Sequence, residues 1–140
     1  MTDLTGHCLC GAVEYRISAE PVAARLCWCR DCQHIASNGT VNILVPSEAL
    51  TVSGPLSEYL STAASGNRMR RRFCPRCGSH LFADSSGRPQ LTVVRAGTLD
   101  DTASVRPTAN IWCASAPGWA CMDSRLERFE GQPGGAPAGR

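Results

Sequence analysis

Nine cysteines lie in 140 residues, and seven of them fall in three tight clusters: Cys8-Leu-Cys10, Cys27-Trp-Cys29-Arg-Asp-Cys32 and Cys74-Pro-Arg-Cys77. Thiolates at this spacing converge on a metal. Zinc closes a structural site with four ligands, whereas a catalytic site keeps three and leaves one position exchangeable. Cys74-Pro75-Arg76-Cys77-Gly78 has the form of a zinc knuckle, with Pro75 fixing φ at its start and Gly78 suited to the left-handed backbone such a turn needs. Two thiolates leave zinc half coordinated, and Cys8-x-Cys10 is the natural complement. A structural zinc on Cys8, Cys10, Cys74 and Cys77 is therefore expected, closing a long loop and coupling folding to the metal. Cys27, Cys29 and Cys32 supply only three sulfurs, which suggests a catalytic zinc.

A disulfide framework is the competing reading of so many cysteines. The odd count argues against it, as does an N-terminus, Met1-Thr-Asp-Leu-Thr, that lacks the basic start and apolar run of a signal peptide. Cys113 and Cys121 are isolated and read as small buried hydrophobes or free thiols, or as completing another closed site with two thiols of the middle cluster. Of His7, His34 and His80, His34 lies nearest the middle cluster and is expected to be a hydrogen-bonding neighbour.

No stretch approaches the roughly 20 apolar residues of a membrane span, so a soluble, cytoplasmic protein without a membrane partner is expected. The formal net charge is only +2, although all 14 basic residues are arginine. Four crowd into Arg68-Met-Arg70-Arg71-Arg72, the one local case for an anionic ligand. A nucleic-acid partner is not expected, since the domain is nearly neutral and poor in aromatics for stacking.

The elements that must position these clusters are short strands. Strands are expected over Gly11–Ile17, Val41–Val45, Leu56–Ser61, Arg70–Phe73, Leu81–Ala83, Leu91–Arg95 and Leu126–Phe129. Helical signals are limited to one turn at Pro46–Leu50, with Ser47 as a possible cap, and a piece over Cys29–Ser37. Residues 131–140, rich in Gly and Pro, read as a disordered tail behind a single domain over residues 1–130. The expected fold class is mainly β: a zinc-stapled single domain of short antiparallel sheets with few helical turns. Trp112 and Trp119 are expected in the core, with a pocket wall as the alternative.

Taken in order, the motifs Gly6-His-Cys8-Leu-Cys10-Gly-Ala-Val13, Cys27-Trp-Cys29-Arg-Asp-Cys32-Gln33, Arg72-Phe-Cys74-Pro-Arg-Cys77-Gly-Ser79 and Ala96-Gly-Thr-Leu-Asp-Asp101, followed by Arg106-Pro107 and Ile111-Trp112, resemble the glutathione-dependent formaldehyde-activating enzyme family. The resemblance runs through residues 6 to 119 and implies an Mss4-like fold, a structural zinc on Cys8, Cys10, Cys74 and Cys77, and a catalytic zinc on Cys27, Cys29 and Cys32. It also implies a carbon–sulfur lyase type of activity on a small-molecule thiol and an aldehyde, forming or cleaving an S-hydroxyalkyl adduct of a glutathione-like thiol. Arg30, Asp31, Gln33 and His34 surround the three-cysteine cluster and could orient substrate, or stand in a solvated turn; Arg68 to Arg72 could pair with glutathione carboxylates, or form an exposed strand face. Trp28 and Asn110 stand where the family usually has histidine. The other classes weighed are a non-catalytic zinc-binding interaction domain and a zinc ribbon binding nucleic acid through Arg70, Arg71 and Arg72.

Overall fold

Short strands with alternating burial build two sheets that share one core. The computed structural model describes residues 3–133. β1 (Leu4–His7), β2 (Glu14–Ile17) and β5 (Leu50–Ser53) form a three-stranded antiparallel sheet in the order β1-β2-β5. The larger sheet comprises β3 (Ala23–Cys27), β4 (Thr40–Pro46), β6 (Ser57–Thr62), β7 (Arg68–Phe73), β8 (His80–Ser85), β9 (Leu91–Arg95), β10 (Ala109–Ile111) and β11 (Glu127–Arg128). Its order is β11-β10-β3-β4-β9-β8-β7-β6. The chain is thus mainly β, as expected. β10 runs parallel to both β3 and β11, where the remaining pairings are antiparallel.

Strand periodicity decides what each face of the large sheet carries. Along β4, Ile43 and Val45 join Val94, Phe82, Tyr15 and Ile17 in the main core between the sheets. Thr40, Asn42 and Leu44 alternate with them and face the other way. That second face carries Cys27 in register with Thr40, and Arg25 in register with Asn42. Helix α1 (Arg30–Ala36) follows β3 directly and carries Cys32, with Cys29 as its N-cap.

Where the observed elements depart from the sequence reading, long-range contacts are the cause. Of Gly11–Ile17 only Glu14–Ile17 is strand, because residues 8–13 close on themselves: Cys8 N–H donates to Val13 O at 3.0 Å and Gly11 N–H to Cys8 O at 3.0 Å. The sequence reading omits β1, β3, β5 and β10; β5 does carry a local signal in the alternation of Leu50-Thr51-Val52-Ser53, whereas β1, β3 and β10 have little of their own. Ala23-Ala-Arg-Leu in β3 has a helical leaning that pairing with β4 and β10 overrides. Ser47–Ala49 is a single 3-10 turn, but Ser47 does not cap it: its hydroxyl donates to Pro89 O at 2.8 Å and meets Thr92 Oγ1 at 2.7 Å. Trp119 is not core; it is 70% exposed. Of the expected tail, Gly131 O accepts from Trp112 N–H and Gln132 Oε1 from the Trp112 indole, while residues 134–140 lie outside the described residues. No helix among the described residues is long and apolar enough to cross a membrane.

One glycine ties the small sheet to the first cysteine loop. Gly54 has φ +112°, and a Cβ there would collide with the Ala12 carbonyl and the Val13 Cα. Both obstacles are backbone, so neither can swing aside. Gly54→Ala is expected to destabilise the domain by about 3 kcal/mol, read as a lower denaturation midpoint at unchanged m-value.

Candidate metal centres

The first cluster gathers sulfurs from two loops that are far apart in sequence. Cys8 and Cys10 follow β1, and Cys74 and Cys77 lie in the turn between β7 and β8. Their four sulfurs all lie within 4.8 Å of one another. Cys8 Sγ is 3.7 Å from Cys10 Sγ, which is 3.8 Å from Cys74 Sγ. A Zn–S bond of about 2.3 Å gives a tetrahedron with an edge of about 3.8 Å, so these separations suit a four-thiolate ion. They are far too long for a disulfide of about 2.05 Å. Both loops use the same backbone device. Cys74 N–H donates to Ser79 O and Gly78 N–H to Cys74 O, as Cys8 N–H does to Val13 O and Gly11 N–H to Cys8 O. Gly11 and Gly78 adopt φ +81° and +79°, the left-handed backbone expected at Gly78.

Donors around the sulfurs favour negative charge. Val13 N–H reaches Cys8 Sγ at 3.3 Å, Arg76 N–H reaches Cys74 Sγ at 3.4 Å, and the Ser79 hydroxyl lies 3.2 Å from Cys77 Sγ. The Ser79 hydroxyl and backbone N–H draw the Cys77 thiol down to about 5. Cys8, although burial raises it, is held below the ordinary thiol range by the Val13 N–H and by Cys10 and Cys74. Cys10, despite the Ala12 N–H that lowers it, is pushed up to about 11 by desolvation and the sulfurs of Cys8, Cys77 and Cys74. Four crowded sulfurs cannot all ionise by themselves, which is the electrostatic situation a divalent cation relieves.

Cys27, Cys29 and Cys32 are also brought together, all three buried and with sulfurs within 4.8 Å of one another. Cys27 ends β3, Cys29 caps α1 by accepting the Cys32 N–H at 3.4 Å, and Cys32 lies in the first turn. Ala109 and Ile111 of β10 pack on the sulfurs, with Trp112 and Phe129 alongside. Gln33 clamps the loop: its Nε2 donates to Trp28 O at 2.7 Å and to Ser115 O at 3.0 Å. Among the described residues, no fourth His, Cys, Asp or Glu joins this set.

Other candidates fall into place around the clusters. His34 Nδ1 meets Arg30 O at 2.8 Å, so it is a hydrogen-bonding neighbour. Cys113 is buried and donates to Asn110 O at 3.5 Å, while Cys121 is exposed; neither joins a cysteine cluster. His7 Nε2 lies 3.3 Å from Asp100 Oδ1, on the surface beside Cys8. Arg30 is exposed, and its Nη1 donates to Gln33 Oε1 at 2.8 Å.

The arginine run is not one exposed face. Arg70 grips Asp84 through Nε at 3.1 Å and Nη2 at 2.6 Å, and Arg72 lies over the Phe82 ring at 5.1 Å. Arg71 points to the opposite face, is 4% exposed, and donates to Asp31 Oδ2 at 3.0 Å and Ser61 Oγ at 3.2 Å. Asp31 sits between Cys29 and Cys32, so this ion pair ties α1 to β7. Sequence reading missed that role of Arg71, because its only signal is the strand period that sends it to the face opposite Arg70 and Arg72.

Trp28 and Asn110 touch each other. The Trp28 indole N–H reaches Asn110 Oδ1 at 3.3 Å, with both side chains buried. The indole packs on Gly39, where an added Cβ would come within 3.0 Å of the ring. Asn110 alternates with Ala109 and Ile111, so the pair lies on the side of β10 away from Cys27. The indole therefore does not fill the face that the sulfur cluster shares with Arg25 and Asn42.

Residues 3–115 match the model of the family described as glutathione-dependent formaldehyde-activating enzyme. A relative from Halomonas elongata that carries this family's name is 28% identical over 139 residues, covering 93% of this chain and 88% of its own. The crystal structure of a Rhodobacter sphaeroides protein superimposes with a TM-score of 0.57 at 24% identity, over 74% of this chain and 91% of that one, which shows a shared fold.

Proposed function

The chain belongs to the glutathione-dependent formaldehyde-activating enzyme family, and from that premise we propose that it is a zinc-dependent enzyme joining a thiol such as glutathione to an aldehyde such as formaldehyde. The product is an S-hydroxyalkyl adduct, and carbon–sulfur cleavage is the reverse reaction. The observation that carries the reading is one chain holding a four-sulfur set beside a separate set of three. In this reading Cys8, Cys10, Cys74 and Cys77 hold the structural zinc, and Cys27, Cys29 and Cys32 hold the reactive one. Bound at three thiolates, zinc would be a weak Lewis acid that favours a soft thiol as its fourth partner and stabilises it as the nucleophilic thiolate.

The protein's own groups prepare that position. Burial of all three sulfurs excludes water from them, the Cys29–Cys32 contact fixes two sulfurs at the start of α1, and Gln33 holds the Trp28 carbonyl between Cys27 and Cys29. Reaction forms the sulfur–carbon bond as the carbonyl π bond opens, and the thiol proton ends on the new hydroxyl oxygen. Redox balance is kept without an oxidant or reductant.

Exchange NMR on carbon-labelled formaldehyde and glutathione, with a panel of other small aldehydes and thiols, tests the reading on the zinc-loaded chain. Adduct formation faster than the uncatalysed background is expected for at least one pair. Background rates for every pair would replace the enzyme with a non-catalytic zinc-binding interaction domain.

Arg71 supplies a separate prediction. Arg71→Met removes the buried guanidinium that anchors Asp31, and with it the tether between α1 and the sheet. Asp31 is 64% exposed, so losing its partner leaves a hydrated carboxylate and no uncompensated buried charge, the outcome that makes breaking a buried pair costly, while the methionine fills much of the buried space. The expected result is therefore a fold of near-normal stability whose three-sulfur site binds zinc about tenfold more weakly, the usual scale for loss of an outer partner. Chelator competition measures the affinity, and unchanged zinc affinity would show that Arg71 does not position the site.

A further inference from the structure

Solvent does not reach the four sulfurs of the first cluster equally. Cys8 and Cys74 are fully buried, and their sulfurs accept from Val13 N–H and Arg76 N–H. Cys10 is exposed and Cys77 is half-buried. The glycine that follows each of these two opens the surface further, since a Cβ on Gly11 or Gly78 would meet no atom within 4 Å beyond its chain neighbours. Leu9, between Cys8 and Cys10, is 85% exposed, and Pro75 and Arg76, between Cys74 and Cys77, are exposed as well. The cluster thus has a buried pair and an outer pair, and each pair takes one sulfur from each loop.

The outer pair meets both requirements of thiol oxidation. An oxidant must first reach a nucleophilic thiolate, and exposure selects Cys10 for that step. A coordinating thiol is held deprotonated by its metal, so the reactive form is present. A second sulfur must then stand close by, and all four lie within 4.8 Å of one another. Cys8 and Cys74 belong to the buried members of the main core, from which they would have to be drawn out to turn onto Cys10. Cys77 packs only at the margin of that core, so it can turn at smaller cost.

We propose that Cys10 and Cys77 are an oxidation site for hydroperoxides, converted into a disulfide that displaces zinc from the four-sulfur set. This rests on the assignment of zinc to Cys8, Cys10, Cys74 and Cys77. With hydrogen peroxide, the Cys10 thiolate attacks one oxygen, the O–O bond breaks, and hydroxide leaves and takes a proton to become water. Cys10 is then a sulfenic acid. The Cys77 thiolate attacks its sulfur, the S–O bond breaks, and a second hydroxide leaves as water in the same way. Two thiolates have given two electrons to the peroxide, and two protons from solvent complete the two waters. Zinc keeps two thiolates of its four, half of what a closed site needs. Because Cys10 and Cys77 lie on different loops, the new bond ties together the same two loops that the metal ties.

The test treats the full-length, zinc-loaded chain with stoichiometric hydrogen peroxide, alongside Cys121→Ser, which removes the other exposed cysteine among the described residues. A chromogenic zinc indicator follows the metal, and mass spectrometry of unreduced peptides maps the disulfide. Both proteins are expected to lose one zinc per chain and to yield a Cys10–Cys77 linked peptide, and dithiothreitol with added zinc is expected to reverse both changes. Four cysteines that stay reduced, a bond between any other pair of the four, or zinc loss that vanishes in Cys121→Ser would overturn the proposal. A Cys10–Cys77 bond formed without loss of zinc would refute the metal assignment and leave the oxidation site standing. Adduct formation is no part of the measurement, so failure of the proposed enzyme activity is read separately.

Discussion

Cys74→Ser is expected to yield insoluble or unfolded protein. Cys74 is fully buried, and its sulfur lies 3.8 Å from that of Cys10 across the contact between the first cysteine loop and the β7–β8 turn. Two features make the loss large. The four-sulfur site joins the small sheet, through β1, to the large sheet, so its closure holds the two layers together. Structural zinc also binds with about 10 to 16 kcal/mol of free energy that is realised only on folding, as much as the whole stability of an ordinary domain, about 5 to 15 kcal/mol. Serine oxygen is a poor substitute for a thiolate, and the remaining sulfurs stay crowded with less positive charge to offset them. Thermal denaturation and zinc content of the variant make the measurement. A Cys74→Ser protein with the parent's melting temperature and full zinc content would remove this site from the account of the fold.

Cys29→Ser is expected to do the opposite, sparing the fold while reducing adduct formation to background. Cys29 is the N-cap of α1, and its sulfur accepts the Cys32 N–H. Serine is among the best N-cap residues, so the helix keeps its start. What is lost is one of the three sulfurs of a cluster that no other His, Cys, Asp or Glu joins among the described residues. The melting temperature is expected to change by no more than about 4 °C, the shift that accompanies about 1 kcal/mol in a domain of this size. Zinc should remain at the four-sulfur site alone. Wild-type turnover in Cys29→Ser would place the chemistry elsewhere. Mild chelation of the parent should reproduce the variant, since three ligands hold an ion less firmly than four, and activity should leave before the fold does.

The two predictions differ because the same residue type serves two different neighbourhoods, and the sequence alone separated them. Spacings of one and two residues hold sulfurs close whatever the rest of the chain does, so Cys8-x-Cys10, Cys27-x-Cys29-x-x-Cys32 and Cys74-x-x-Cys77 announce their clusters directly. Left-handed Gly78, the strand character of β4, β7 and β9, and the helical piece after Cys29 are likewise local properties of a few adjacent residues. Tertiary structure decided everything that depends on register between distant strands. Arg70, Arg71 and Arg72 look alike in sequence, yet strand alternation sends Arg70 and Arg72 towards Asp84 and Phe82, and Arg71 to the other face, where Asp31 lies across the sheet. Trp28 and Asn110 meet only because β10 pairs in parallel with β3, a pairing that no local signal in Ala109–Ile111 foretells. The row of Arg25, Asn42 and Arg95 across β3, β4 and β9 exists for the same reason. A one-residue slip of β4 would carry Asn42 to the opposite face, and long-range packing of the core, not the composition of any one strand, holds it where it is.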